Sequence, residues 1–407
     1  MSRIDDLIAE YCPDGVSVKK LGDVGTFVRG SGLQKKDFVD EGFPCIHYGQ
    51  IYTFYGTSTT TTKSFVDPQL AERLKHARTG DLVVTTTSET TEEVCTAVAW
   101  LGDGSIVIGG HSCVFRHSLD PLFVAYYFQT DDFERQKRKF VTGTKVKEIK
   151  VADIARIEIP VPPMAVQLEV VSVLHKMERL AAELEVELEA RSRQYEHYRQ
   201  VLVNRVSADP VALSTLGKWQ GGITPSKSNR AYWESGTVPW LASMDVSNTT
   251  TDEIRGRVTE AALKETSLRL ITAPSVAVVM RSNILRRVLP IGLIKVDTTV
   301  NQDMRVLAPQ VGVDAEYVYQ VLCADSERIR ASCVRTDGSM AAVDSQRFFA
   351  WEIPLPSLDE QRSVAKALRH FDDLVNNREI GLPAEIAARR KQFEFYRDRL
   401  LTFEEAS

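Results

Sequence analysis

Two sets of basic and aromatic side chains, one in each half of the chain, carry the residue types that could do chemistry. The first half holds Lys35, Lys36, His47, Tyr48, Gln50, Tyr52, Lys63, Thr86, Ser88, Lys145 and Lys147. The second holds Lys227, Asn229, Arg230, Tyr232, Trp233, Arg281, Asn283, Arg286 and Arg287. Lysine, serine, threonine and asparagine of this kind suit contacts to phosphate oxygens, while arginine, glutamine and asparagine can grip a base edge through two hydrogen bonds. A solvated loop is the plainer reading of any one of these residues. Taken as a set, interleaved with aromatic rings, they point to DNA.

Signatures of catalysis are missing. The sequence has no GxxxxGK[ST] phosphate loop, no HExxH and no GxSxG. Gly30-Ser31-Gly32-Leu33-Gln34-Lys35 opens like a dinucleotide turn but lacks the third glycine. No Asn-Pro-Pro-Tyr or Asp-Pro-Pro-Tyr tetrapeptide of the amino-methyltransferases is present, and Val161-Pro162-Pro163-Met164 reads only as the start of a helix. His111 and Cys113 are read as strand residues rather than metal ligands. The six cysteines form no CxxC pair, so neither a zinc site nor a disulfide framework is expected. A reducing, cytoplasmic compartment follows from that usage. The N-terminus does not read as a signal peptide, and no apolar run approaches the length of a membrane span. Net charge is −5, so any grip on nucleic acid must come from local clusters or from a partner that supplies positive charge.

Long helices must position these clusters. From Met164 to Arg205 the positions Leu174, Met177, Ala181, Leu184, Leu188, Arg191, Tyr195, Tyr198 and Leu202 recur in steps of three and four. That is an a/d seam, apolar at every position but Arg191, and it predicts a rod that needs a partner helix. The seam returns near the C-terminus at Leu368, Phe371, Val375, Leu382, Ile386, Arg389, Phe393, Tyr396 and Leu400. Ile159-Pro160-Val161-Pro162 leads into the first rod and Ile353-Pro354-Leu355-Pro356 into the second, followed by Gln167 and Gln361 at the same offset. The exits match as well, Tyr198-Arg199-Gln200-Val201-Leu202 against Tyr396-Arg397-Asp398-Arg399-Leu400. Gly381 and Pro383 interrupt the second rod, and Pro383 is expected to break or kink it.

Between these landmarks each half is strand-rich. A short helix at 4–11 opens the chain. Apolar runs predict strands at 45–51, 81–87, 94–100, 106–109 and 112–116, then at 238–242, 275–280, 290–296 and 303–308. Helices are expected at 121–138 and 314–331. The plan is therefore an α+β chain: a domain over 1–160, a central spacer helix over 161–207, a second domain over 208–354 and a C-terminal spacer helix over 355–407, interrupted near 381–383. Two similar strand-rich domains are expected to be separated by two long antiparallel coiled-coil helices about a pseudo-two-fold axis.

With the doubled Ile-Pro-Val/Leu-Pro…Gln…rod unit, His47-Tyr48-Gly49-Gln50-Ile51-Tyr52-Thr53, Gly80-Asp81-Leu82-Val83-Val84-Thr85-Thr86-Thr87-Ser88 and Gly222-Ile223-Thr224-Pro225-Ser226…Tyr232-Trp233, the chain resembles the specificity subunit of a type I restriction–modification enzyme. The resemblance implies that each domain is a target-recognition domain reading one half of a bipartite, asymmetric site in double-stranded DNA. It implies a non-catalytic chain whose rods act as spacer and dock methyltransferase subunits, two of them, with restriction subunits joining the complex. S-adenosylmethionine, ATP and Mg would then belong to those partners, and no cofactor to this chain. A truncated fused methyltransferase–specificity enzyme and a scaffold that binds protein rather than DNA are the alternatives.

Overall fold

The computed structural model describes residues 3–246, 250–251, 254–377 and 379–406. The chain forms two compact units, Met1–Glu183 with Ala387–Ser407, and Leu184–Ile386. Both are mixed α+β.

The first unit holds a second five-stranded sheet, within 38–108, but each unit contains one five-stranded sheet of a shared design. In the first unit its strands are β1 (Gly25–Arg29), β2 (Ser58–Thr59), β3 (Leu82–Thr85), β4 (Ala97–Trp100) and β5 (Ser112–His117), in the spatial order β1-β5-β3-β4-β2. In the second unit they are β6 (Gly217–Gln220), β7 (Thr250–Thr251), β8 (Ser275–Val279), β9 (Ile291–Ile294) and β10 (Met304–Pro309), in the order β6-β10-β8-β9-β7. The order is the same, and so is the sense of each pairing: antiparallel throughout except for the last strand, which runs parallel to its neighbour. The central strands Leu82-Val83-Val84-Thr85 and Ser275-Val276-Ala277-Val278-Val279 are buried on both faces. That is why they read as unbroken apolar runs rather than alternating ones.

The duplicated lead-ins have a structural reason. Glu158–Pro160 pairs antiparallel with Val18–Lys20, and Glu352–Pro354 with Pro210–Ala212, so each Ile-Pro strand ties the end of a domain to its beginning. The repeated spacing to glutamine is a latch. Buried Gln167 accepts from the Asp120 amide at 2.8 Å and donates to the Pro162 carbonyl at 2.7 Å. Buried Gln361 accepts from the Asp314 amide at 2.8 Å and donates to Gly312 and Pro356 carbonyls at 3.0 and 2.8 Å. Asp120 and Asp314 in turn cap the helices that follow them, with carboxylates accepting from backbone amides at 2.9 Å.

The predicted rods are present, with two corrections. Helix α1 is continuous from Met164 to Arg205. The second rod is two helices, α2 (Leu358–Asn376) and α3 (Leu382–Leu400). The break falls before Pro383, not at it: the Asn377 side chain accepts from the Glu379 and Ile380 amides and stops α2. Pro383 then sits in the first turn of α3, where its missing N–H costs nothing. The second correction concerns burial. Within the second unit, Tyr195, Leu368 and Val375 are buried, with Leu188, Leu202 and Phe371 partly so, and the Tyr198 ring stacks on Phe371 at 5.3 Å. Leu184 is only half-buried and Arg191 exposed. In the first unit, Leu174 joins Phe393, Leu400 and Leu401 in the domain core, while Met177 is half-buried and Tyr396 exposed.

Other expectations shift locally. The strand expected at 45–51 ends at Ile46, and Tyr48–Thr53 is helical. His47 and Gln50 cause the switch: His47 Nδ1 accepts from the Gly49 amide at 3.2 Å and Gln50 Oε1 from the His47 amide at 3.1 Å. The helix expected at 121–138 is two, Pro121–Tyr127 and Asp131–Lys137, because Thr130 caps the second. That expected at 314–331 is likewise Ala315–Ala324 and Ser326–Cys333.

Candidate nucleic-acid interface

In the first unit the loops after β1, β3 and before β5 converge at one end of the sheet. Gly30 makes this possible: a Cβ there would lie 2.1 Å from the Gly109 carbonyl oxygen, so only glycine lets the two loops touch. Around that contact the structure gathers His47, Tyr48, Tyr52 and Ser88 from the candidate set. The Tyr48 ring lies 4.6 Å from His47 and 4.8 Å from His111. The Tyr52 hydroxyl donates to the Thr87 carbonyl at 2.7 Å, and burial pushes its pKa up to about 12. Buried His47 has its pKa lowered by burial, then by the nearby Lys35 charge and His111, so it stays neutral.

The remaining candidates of this unit fall into different roles. Lys35 and Lys36 lie exposed in a single 3₁₀ turn. Gln50 is committed locally, donating to Ser64 Oγ at 2.6 Å. The Ser88 hydroxyl donates to Glu93 at 2.5 Å. The Thr86 hydroxyl is buried without a partner. Lys147 pairs with Ser88 across a two-stranded ribbon and its ammonium donates to the Gly143 carbonyl at 3.0 Å. Lys145 is exposed on the same loop, and Lys63 lies over the Phe54 ring.

In the second unit the candidates form two groups. Asn229 caps the turn that carries Arg230 and Tyr232. Arg230 pairs with Glu234 at 2.7 Å, the Tyr232 hydroxyl donates to Glu265 at 3.2 Å, and the Trp233 indole donates to the Ser226 carbonyl at 3.1 Å. Tyr232 and Trp233 pack on a small core of Val258, Ala262 and Leu268, with Trp233 edge-on to Trp240 at 5.1 Å. They hold this segment in shape, and Lys227 is exposed beside it. The second group is cationic. Arg281 is gripped by Asp303, with Nε and Nη2 each 2.8 Å from Oδ1. Arg286 donates to the Thr336 and Gly338 carbonyls at 3.1 Å and so holds the 334–343 hairpin. Asn283 and Arg287 are exposed on the same turn.

By sequence, Thr87 reads only as part of the 80–88 stretch and His111 as a strand residue, and Asp303 is not singled out; in the structure Thr87 Oγ1 lies 2.9 Å from His111 Nδ1, and Asp303 holds Arg281. Aligning the halves at the offset of their lead-ins would have placed Thr87 opposite Arg281. Among the described residues no three of histidine, cysteine, aspartate or glutamate converge as a metal site would need. Nor is any described helix long and apolar enough to cross a membrane.

A strand order repeated in both units, with a cation-bearing loop cluster at the same end of each sheet, defines a protein built from two copies of one domain. Residues 13–191 and 208–388 each match the family described as the type I restriction modification DNA specificity domain, and the chain belongs to that family. It is 38% identical over 269 residues to the EcoR124I/EcoR124II specificity subunit of Escherichia coli, a match covering 66% of each chain. It is 30% identical over 176 residues to the MjaIX specificity subunit of Methanocaldococcus jannaschii, covering 42% of this chain and 39% of that one. These matches thus span under two thirds of either relative's length. Among solved structures, a chain from a type I R-M system studied for its complex assembly superposes with a TM-score of 0.62 at 17% identity, covering 96% of this chain and 98% of that one. The S subunit of such a system from M. genitalium gives 0.52 at 13%, covering 95% and 96%. At those identities the likeness is one of fold.

Proposed function

We propose that this chain is the DNA-reading, non-catalytic subunit of a type I restriction–modification enzyme. Each domain, 1–160 and 208–354, reads one half of a bipartite asymmetric site, and the helices over 161–207 and 355–407 space them and dock two methyltransferase subunits, with restriction subunits joining. S-adenosylmethionine, ATP and Mg act on those partners, and the complex works in the cytoplasm. The observation that carries this reading is the repeated sheet whose equivalent loops bear different side chains, Thr87 and His111 in one copy and Arg281 and Asp303 in the other. One frame presenting two chemistries suits two unlike half-sites. The test is methylome sequencing of cells that carry the partner methyltransferase, with and without this chain. A two-part methylated motif that appears only with the chain is expected; an identical methylome in both cultures would refute the reading.

A further inference from the structure

The central strands β3 and β8 end in the same way. Thr85 pairs with Ser112, and Val279 with Met304. Two residues beyond those strands stand Thr87 and Arg281; one residue before the partner strands stand His111 and Asp303. The backbone around them is matched bond for bond. The Thr86 amide donates to the His111 carbonyl at 2.9 Å and the Met280 amide to the Asp303 carbonyl at 2.8 Å. The Ile149 amide donates to Thr86 at 3.0 Å and the Val343 amide to Met280 at 2.7 Å. Across each matched position a side-chain pair closes, Thr87 with His111 and Arg281 with Asp303. In each pair one member is shielded and the other exposed. Thr87 is 7% exposed while His111 is at the surface. The Asp303 side chain is 17% exposed against 56% for Arg281.

We propose that these pairs are the specificity-determining position of each domain: a shielded anchor, Thr87 or Asp303, aims an exposed reader, His111 or Arg281, at a base edge. This rests on the DNA-reading function proposed above. Asp303 grips the Nε/Nη2 side of the guanidinium, which leaves Nη1 and the second Nη2 hydrogen outside that pair on a side chain 56% exposed. That fork matches the O6 and N7 acceptors of guanine. Asp303 Oδ2 is itself held by Gln302 Nε2 at 3.3 Å, which stiffens the aim. In the first unit the Thr87 hydroxyl holds His111 at Nδ1, so the ring presents Nε2. The Tyr48 ring braces its face, and the Tyr52 hydroxyl fixes the Thr87 backbone. One ring nitrogen makes one contact where the guanidinium makes two. The domain with Arg281 therefore reads guanine sharply, and the domain with His111 discriminates less at its equivalent base pair.

The full chain, expressed with its methyltransferase partner, decides this by methylome sequencing. Arg281→Gln swaps a guanine fork for an adenine one. Discrimination for guanine at one position of one half-site should fall about ten- to a hundredfold, with adenine gaining there. The other half-site and the gap should not change. His111→Ala should make one position of the other half-site degenerate, and Thr87→Val, which removes only the anchor, should loosen that same position more weakly. Asp303→Asn is the second route to Arg281: it loosens the grip without touching the reader and should blur the same guanine. Unchanged motifs in Arg281→Gln and Asp303→Asn, degeneracy in both half-sites from one substitution, or loss of all methylation in variants that melt like the wild type would each overturn the proposal. Failure of the DNA-reading function itself shows differently, as a wild-type chain that confers no motif at all.

Discussion

Removing one hydroxyl, Tyr195→Phe, tests how α1 is held within the second unit. Tyr195 is 1% exposed, and its hydroxyl lies 3.1 Å from Asp372 Oδ1 and 3.2 Å from Gln320 Oε1. Gln320 Oε1 already accepts from Arg199 Nε at 3.0 Å, so the single phenolic hydrogen is needed most by Asp372. Apart from it, Asp372 Oδ1 accepts from Asn376 Nδ2 at 2.8 Å. Phenylalanine keeps the ring, and with it the Arg199 guanidinium stacked 4.2 Å above. Only the hydrogen bond to a buried carboxylate disappears, at a cost of about 1.5–3 kcal/mol at neutral pH.

The cost should depend on pH, in a direction the burial dictates. Burial raises the folded-state pKa of Asp372 above its ordinary value of 3.8, although Asn376, Tyr195 and Arg199 pull the other way. Between those two values the folded chain binds more protons than the unfolded one, so this group's contribution to stability falls as pH rises through the window. Tyr195→Phe removes a donor to the charged form and raises that pKa further, which deepens the loss at neutral pH. Once Asp372 is protonated, the missing bond is a neutral one worth about 0.5–1.5 kcal/mol. Urea unfolding followed by tryptophan fluorescence reads this, because Trp219, Trp233, Trp240 and Trp351 lie in the second unit and only Trp100 in the first. An Asp372→Asn background should abolish the pH dependence of the Tyr195→Phe cost. An equal cost at pH 7 and in the acid range, or a pH dependence that survives in that background, would refute the reasoning.

Four other outcomes are expected. Leu368→Ala, at a fully buried position, should cost about 2–5 kcal/mol in urea unfolding, whereas half-buried Leu184→Ala should cost clearly less; equal losses would contradict the burial pattern. Gln361→Ala leaves the Asp314 amide and the carbonyls of Gly312 and Pro356 without their partner, and should cost about 1–3 kcal/mol in the same assay. Lys35→Ala with Lys36→Ala should lower the salt slope of DNA binding by about 1 for each phosphate that is no longer neutralised, measured on the assembled enzyme; an unchanged affinity and slope would remove these lysines from the interface. Four residues inserted after Ala190 lengthen α1 by about 6 Å and rotate its end by about 40°, so methylome sequencing should show an altered gap between unchanged half-sites, and a changed half-site with an unchanged gap would count against a spacer role.

Much of the fold was legible because its signals are local or repeated. The seam of α1 needs only its own spacing, and the Ile-Pro lead-ins and latch glutamines stand out because each occurs twice. Where local pattern misled, a longer reach decided. Cys45-Ile46-His47-Tyr48-Gly49-Gln50-Ile51 reads as one strand, yet the reciprocal cap of His47 and Gln50 turns the chain from Tyr48 into a helix. Pro383 looked like the break in the second rod, but a proline is as much a helix start as a helix stop, and Asn377 decides which. The candidate site was least legible for the same reason. His111 meets Thr87, and Asp303 meets Arg281, across more than twenty residues of chain, and only strand register brings them together.

Comparison of the two copies separates what the fold requires from what it leaves to vary. Glu178 and Asp372 lie at equivalent turns of α1 and α2, 194 positions apart, and each accepts a hydrogen bond from a phenol. The phenol comes from different elements. In the first unit it is Tyr126, on the domain helix, with Phe393 edge-on at 6.0 Å. In the second unit the position of Tyr126 is Gln320 and that of Phe393 is Tyr195, so the hydroxyl has moved from the domain helix to the rod. A shielded carboxylate left without a donor would carry a heavy desolvation cost. The constraint is therefore a phenol for each acid, indifferent to which helix supplies it, with Glu178 taking a second hydroxyl from Thr57 at 2.6 Å, and that is why the phenols diverge while the acids keep their places. At the sheet end the pattern reverses. There the backbone bonds are kept and the side chains exchanged wholesale, threonine and histidine for arginine and aspartate, with one shielded and one exposed member kept in each pair.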